Sequence, residues 1–156
     1  MGGRHEFSVG LRWGGEPEGS SSSRDSRWRD HALSSTGKPE IQGSSAGAFH
    51  GDTTRWNPEE LLVAALAQCH FLSYLYLCQR EGIALLDYSD AASGILRTHP
   101  DGSGEMTEVV LTPRVVVDRA DVERAASLHE RAHELCFIAR SVAFPVRVVP
   151  ELVPSS

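Results

Sequence analysis

The chain has 156 residues, 40% of them apolar and 23% charged, with a formal net charge of −6. This length suits one domain that buries roughly two thirds of the surface its unfolded form exposes. The acidic balance disfavours a surface devoted to phosphate backbones, so nucleic acid is not the expected partner.

The first residues, MGGRHEFSVG, lack the apolar core of a secretory signal, so the cytoplasm is the expected compartment. Three cysteines, at 69, 78 and 136, are too few for a disulfide framework. A bridge formed in a reducing compartment is expected to be catalytic or redox-sensing.

In chain order, EFSVGLRW over 6–13 alternates Phe7, Val9, Leu11 and Trp13 with smaller or polar residues, the period of a half-buried strand. The following GGEPEGSSSSRDS reads as a loop. A strand resumes over 28–33, and the Gly- and Ser-dense stretch to Thr54 holds at most one short strand near 40–42.

Helix signals coincide at Asn57. Asn is a favoured N-cap, Pro58 suits the first helical position, and Glu60 completes a capping box. The helix is expected over 58–82, with Gly82 terminating it. Its stretch from Leu61 to Cys78 is apolar over nearly the length of a bilayer span, but Gln68, His70 and Ser73 interrupt it. It is read as a helix buried in the protein, and no membrane partner is expected.

Two strand-like runs, 85–97 and 105–117, flank HPDGSG and predict a hairpin within 83–118. Apolar residues from Val122 to Ile138 recur at three- and four-residue steps, which predicts a second helix within 119–141. A last strand falls within 142–150, and Pro145 suits a strand at a sheet edge. The order of strands, long helix, hairpin, helix and strand gives an α+β class in a single domain over 1–156.

Two motifs compete for the chemistry. His129-Glu130-x-x-His133 has the spacing of a zinc hydrolase, with both histidines on one helix face and Glu130 as general base. A catalytic zinc needs a third protein ligand, and the residues after His133 contain no histidine. The alternative places one histidine against the sheet and the other among the charged residues of the helix.

The second motif is the thiols. Cys69 and Cys78 stand about 13.5 Å apart along one helix and half a turn out of phase, too far for a bridge. Any pair within the chain joins Cys136 to one of them, and periodicity leaves both possible. A packed, inert thiol is the plain alternative. A peroxide-reducing cysteine must be a thiolate, and Cys69 lies too deep in its helix for the N-terminal dipole to help. An arginine must then supply the charge, with Arg29 and Arg55 as candidates and Glu59 or Glu60 as its partner.

RDH at 29–31, GDTTRWNPEELLVAALAQCH at 51–70 and AHELCFIARSVAFPV at 132–146 together resemble the OsmC/Ohr family of thiol peroxidases, in its OsmC-like branch. The resemblance implies an intertwined homodimer in which antiparallel sheets wrap around two central long helices. By motif position, Cys69 corresponds to the peroxidatic cysteine, Cys136 to the resolving cysteine, Glu59 to the acid of the NPE motif and Arg29 to the activating arginine. Arg12, Arg27 and Arg55 are alternatives to Arg29, and Cys78 is left to packing.

The implied activity is reduction of organic hydroperoxides or hydrogen peroxide, through a Cys69 sulfenic acid and a Cys69–Cys136 disulfide, in defence against oxidative stress. No bound cofactor or metal is implied, only an external dithiol reductant of the dihydrolipoyl kind. ELCFIA around Cys136 departs from the Val-Cys-Pro of the Ohr branch. Glu59 stands about 15 Å from Cys69 along a straight helix, which agrees with a site shared across a subunit interface. A non-catalytic dimeric binding or sensor protein is the remaining alternative.

Overall fold

A computed structural model describes residues 2–20, 22 and 24–156. The chain forms two compact units, Met1–Leu61 and Leu62–Ser156.

In the first unit β1 (Gly10–Trp13), β2 (His31–Ser34) and β3 (Ile41–Gly43) form an antiparallel sheet in that order. β1 is shorter than the alternating pattern predicts, and its apolar face is not half-buried: Phe7, Val9, Leu11 and Trp13 are all exposed. Trp28 and Arg29, expected in a strand, instead end a 3₁₀ turn, Ser26–Arg29, because the Asp25 carboxylate accepts from the Arg27 backbone N–H at 3.0 Å and from its guanidinium. Local side-chain bonding of this kind competes with strand formation. At the end of β3, a Cβ on Gly43 would lie 2.4 Å from His31 Nε2, so any larger residue there would displace that ring.

The chain reaches its long helix through paired backbone bonds, Ser44 N–H to Trp56 O at 2.9 Å and Trp56 N–H to Gln42 O at 3.1 Å. α1 (Pro58–Glu81) starts on the predicted capping box. Glu60 N–H donates to Asn57 Oδ1 at 2.8 Å, and Asn57 N–H donates to Glu60 Oε2 at 3.4 Å. It ends on Gly82 at φ 69°, with Ile83 N–H donating to Cys78 O at 2.9 Å, the bond of a Schellman cap.

The second unit is built around α1. Only Leu66, His70, Tyr74, Leu77 and Cys78 of α1 are buried, so the helix expected to be buried in the protein is covered on one side only within one chain. By length and composition alone it is long and apolar enough to cross a membrane.

The predicted hairpin is one long arm broken in the middle. β4 (Leu85–Asp90) pairs with β7 (Pro113–Val117), and β5 (Ser93–Thr98) pairs with β6 (Gly104–Leu111). At the break the Asp90 carboxylate accepts from Thr112 N–H at 2.8 Å, and the Thr112 hydroxyl donates to Ala91 O at 3.0 Å. The tip is the predicted turn, with Gly102 at φ 86°.

α2 (Val122–Leu135) is shorter than predicted. Cys136 leaves the helical region at ψ 107°, and a 3₁₀ turn, Ala139–Ser141, follows. Burial of Cys136 and packing of Ile138 against the Leu66 cluster override the helical period.

β8 (Val146–Val148) lies at a sheet edge parallel to β6, as Pro145 suggests. A further strand, β9 (Glu151–Pro154), pairs parallel with β7. The two three-stranded sheets of this unit are therefore mixed rather than wholly antiparallel, within the expected α+β class. One core cluster joins Tyr74, Leu77 and Cys78 to Val115, Val117, Ala125 and Ala132. The other joins Leu66 to Val109 and Leu111.

Replacing the cap, Asn57→Ala, is expected to cost about 1 kcal/mol. At matched protein concentration the urea midpoint should fall with the slope unchanged. An unmoved midpoint would mean that the cap contributes nothing to folding.

Candidate active site

The second unit brings Cys69 and Cys136 together. Cys69 is half-buried on α1, whereas Cys136 is 1% exposed at the C-terminal cap of α2. Their sulfurs are neighbours, close enough for Cys69 to raise the proton affinity of Cys136, and no bridge joins them. Burial pushes the Cys136 thiol up to about 11, an Ala139 N–H donated to its Sγ at 3.4 Å counteracts this, and the neighbouring Cys69 sulfur adds to the rise. Cys136 is thus a protonated thiol near neutral pH. The accessible partner, Cys69, is the one that an incoming molecule can reach.

Cys69 opens into an apolar cup of about 330 Å³ lined by Leu72, Ser73, Tyr76, Leu135 and Phe137. None of these was singled out from the sequence, although the steps from Cys69 to residues 72, 73 and 76 follow one helix face. A larger hollow of about 520 Å³ near Phe71 and Tyr88 contains no thiol. Cys78 is fully buried in the core beside Tyr74, with its thiol raised by burial, as a packing residue would be.

The histidines of the zinc-like motif face inward. His129 packs against α1 rather than the sheet: its Nδ1 lies 3.0 Å from His70 Nε2, and its ring stacks on Tyr74 at 4.0 Å between centroids. His133 is half-buried and close enough to His70 to disfavour its protonation, while Glu130 is exposed. Among the described residues no three His, Cys, Asp or Glu side chains are grouped to hold a metal ion.

Arg29 and Glu59 belong to the first unit. Arg29 closes the 3₁₀ turn rather than sitting in a strand, and its carbonyl lies 2.8 Å from His31 Nδ1. Glu59, in the first turn of α1, has a buried Oε2 with no hydrogen-bond partner among the described residues. The alternative arginines each face carboxylates: Arg55 meets Asp30 at 3.3 Å and Asp52 at 3.4 Å, Arg27 meets Asp25 at 2.6 Å and Arg12 meets Glu40 at 3.7 Å.

A model of the family described as OsmC-like protein matches residues 50–151. No curated protein matches the chain by sequence. Among solved structures it is similar to an OsmC-like protein of unknown function from Vibrio cholerae, at 29% identity and TM-score 0.81 over 96% of this chain and 100% of that one. Two further structures share the fold. An organic hydroperoxide resistance protein, OhrB, of Bacillus subtilis has 23% identity and TM-score 0.60 over 94% and 98% of the two chains. An organic hydroperoxide resistance protein from Legionella pneumophila has 18% identity and TM-score 0.66 over 96% and 98%.

Burial lowers both His70 and His129 from the ordinary 6.5 to about 4, and each is lowered further by a neighbouring histidine. Below 6.5 the unfolded chain binds protons that the folded chain refuses, so this pair's contribution is complete above 6.5 and is lost as pH falls toward 4. The melting temperature should drop across that window. In a His70→Phe, His129→Phe variant the drop should be shallower, and an equal slope would remove the pair from the account.

Proposed function

From the premise that the chain belongs to the OsmC-like protein family, we propose that it is a cysteine-based peroxidase that reduces organic hydroperoxides or hydrogen peroxide. The observation that carries this is the contact between an accessible thiol, Cys69, and a buried one, Cys136. Two of the similar structures are organic hydroperoxide resistance proteins, which supports the choice of substrate.

In the reaction the Cys69 thiolate attacks the distal oxygen of the hydroperoxide. The O–O bond breaks, the alkoxide takes a proton and leaves as alcohol, and Cys69 becomes a sulfenic acid. Cys136 then attacks that sulfur, the S–O bond breaks, water leaves with the Cys136 proton, and the disulfide forms. Two electrons have passed to the peroxide. An external dithiol, of the dihydrolipoyl class, returns them by exchange and is itself oxidised to a disulfide.

Burial of Cys136 suits the second step. A thiol with a pKa of about 11 is a weak nucleophile toward peroxide, so the accessible cysteine reacts first, and the sulfenic acid forms where the resolving thiol already waits. Arg29 is the assigned activating cation and Glu59 the assigned acid, both by motif position. The unpartnered Glu59 Oε2 is consistent with a group that takes a further partner. The exposed apolar faces of β1 and α1 favour the homodimer that the resemblance implies. No bound cofactor or metal has a step in this chemistry, and the external dithiol it needs is of a kind that a reducing cytoplasm maintains.

One equivalent of hydroperoxide should remove two free thiols per chain, and the bridge should map to Cys69 and Cys136. Cys69→Ser should reduce dithiol-dependent peroxide consumption to background. Cys136→Ser should leave a sulfenic acid that dimedone traps at Cys69. Full activity in Cys69→Ser, or a bridge to Cys78, would overturn the proposal.

A further inference from the structure

Two imidazoles stand between the helices that carry the thiols, and the reaction above gives them no step. His70 on α1 and His129 on α2 are 0% and 4% exposed. His70 Nε2 lies 3.0 Å from His129 Nδ1, the two rings are parallel within 10°, and His129 lies on Tyr74 within 11°. Packing fixes the ring planes, so the bond has one direction.

Stability alone does not account for this arrangement. The outer nitrogens, His70 Nδ1 and His129 Nε2, are buried with no hydrogen-bond partner among the described residues. Whichever tautomers form the bond, one outer nitrogen is an unpaired donor and the other an unpaired acceptor. Apolar side chains of similar volume would avoid that desolvation cost. What a directional bond supplies and an apolar contact does not is register.

The register in question is that of the thiols. His70 follows Cys69 in α1, while Ala125, His129, Ala132 and Cys136 form one buried stripe at steps of four, three and four. Seven residues, about two turns or 10.5 Å, separate His129 from Cys136. Bonds from the Tyr74 hydroxyl to Ala125 O at 3.1 Å and from Arg124 Nη2 to Glu81 O at 2.7 Å also cross between the helices, farther from the thiols. Burial lowers both histidines from 6.5 to about 4, so near neutral pH each ring keeps the donor and the acceptor that the bond needs.

Resting on the peroxidase reading for its place in turnover, we propose that His70 and His129 are positioning residues whose mutual bond holds Cys136 beside Cys69 for disulfide formation. The bond opposes rotation of α1 and sliding of α2, and by fixing the register beforehand it raises the effective concentration of one thiol at the other.

The test is the equilibrium of the bridge in glutathione buffer, where the protein dithiol passes two electrons to glutathione disulfide and two glutathione thiols are released. It needs no peroxidase activity. A bond between neutral groups contributes modestly. His129→Leu should therefore lower the equilibrium constant about fivefold, equivalent to about 1 kcal/mol at 1.36 kcal/mol per tenfold. The amide of Asn stands where Nδ1 of a histidine does, and that of Gln where Nε2 does. His129→Asn and His70→Gln should accordingly retain most of the constant, whereas His129→Gln and His70→Asn should resemble the Leu variant. Tyr74→Phe removes an interhelical bond without touching the pair, so the urea midpoint should fall while the constant stays near wild type.

After hydroperoxide, dimedone should label Cys69 more in His129→Leu than in the wild type, because the second step is the one slowed. A wild-type constant in His129→Leu, equal constants in the Asn and Gln variants of His129, or an equal loss in Tyr74→Phe would overturn the assignment. If His129→Leu does not fold, the Asn and Gln comparison decides. The expected pattern in a protein that consumes no hydroperoxide would remove the peroxidase reading and keep the positioning pair.

Discussion

The angular phase of α1 is the constraint on which the site depends. Each residue turns the helix by about 100°, so Cys69 and Cys78, nine residues apart, stand on opposite sides. The side bearing Cys78 carries Tyr74 and Leu77 into the core with Val115, Val117 and Ala132. Cys69 is thereby left toward the end of α2. The fate of each thiol follows from packing that neither chooses: one becomes a small core residue, and the other meets Cys136. Asn57 and Gly82 hold this phase by fixing where the helix starts and stops.

The second constraint is where α2 stops. Had the helical period continued to Ser141, Cys136 would have stayed on the helix cylinder. Instead the backbone becomes extended at Cys136 and turns into a short 3₁₀ segment, with Ala139 N–H directed at the sulfur. The cysteine is held at a break between two elements, and burial there raises its proton affinity. In the proposed reaction, contrast in exposure between two neighbouring thiols would divide the labour, because the sulfur that is reached first need not be the one that resolves.

What the sequence made legible was whatever is encoded locally. The capping box at Asn57 and Glu60, the stop at Gly82, the turn at HPDGSG and the edge strand after Pro145 each rest on a few adjacent residues, and each stands where expected. The features that stayed hidden are tertiary. β9 lies between Pro150 and Pro154, where no strand pattern can be read, and it exists because β7 offers an edge for parallel pairing. The end of α2 depends on what Ile138 packs against. Arg29 left its expected strand because Asp25 captured the preceding backbone. Periodicity left open whether Cys69 or Cys78 would meet Cys136, and the family resemblance chose the pair that the fold places in contact.

The buried histidines narrow the source of the charge that a reactive Cys69 needs. His70 follows Cys69 in the chain, and an imidazolium beside a thiol is a common way to hold a thiolate. Here that device does not operate. His70 and His129 are enclosed with Tyr74, bonded to each other, and lowered to about 4, so near neutral pH they are uncharged. A neutral ring contributes a dipole but not the unit charge that lowers a thiol pKa by attraction. The charge must come from a group that stays ionised under all physiological conditions, which is the property of a guanidinium. The inward turn of HERAH removes His129 from the surface and places its imidazole in the core against His70 and Tyr74.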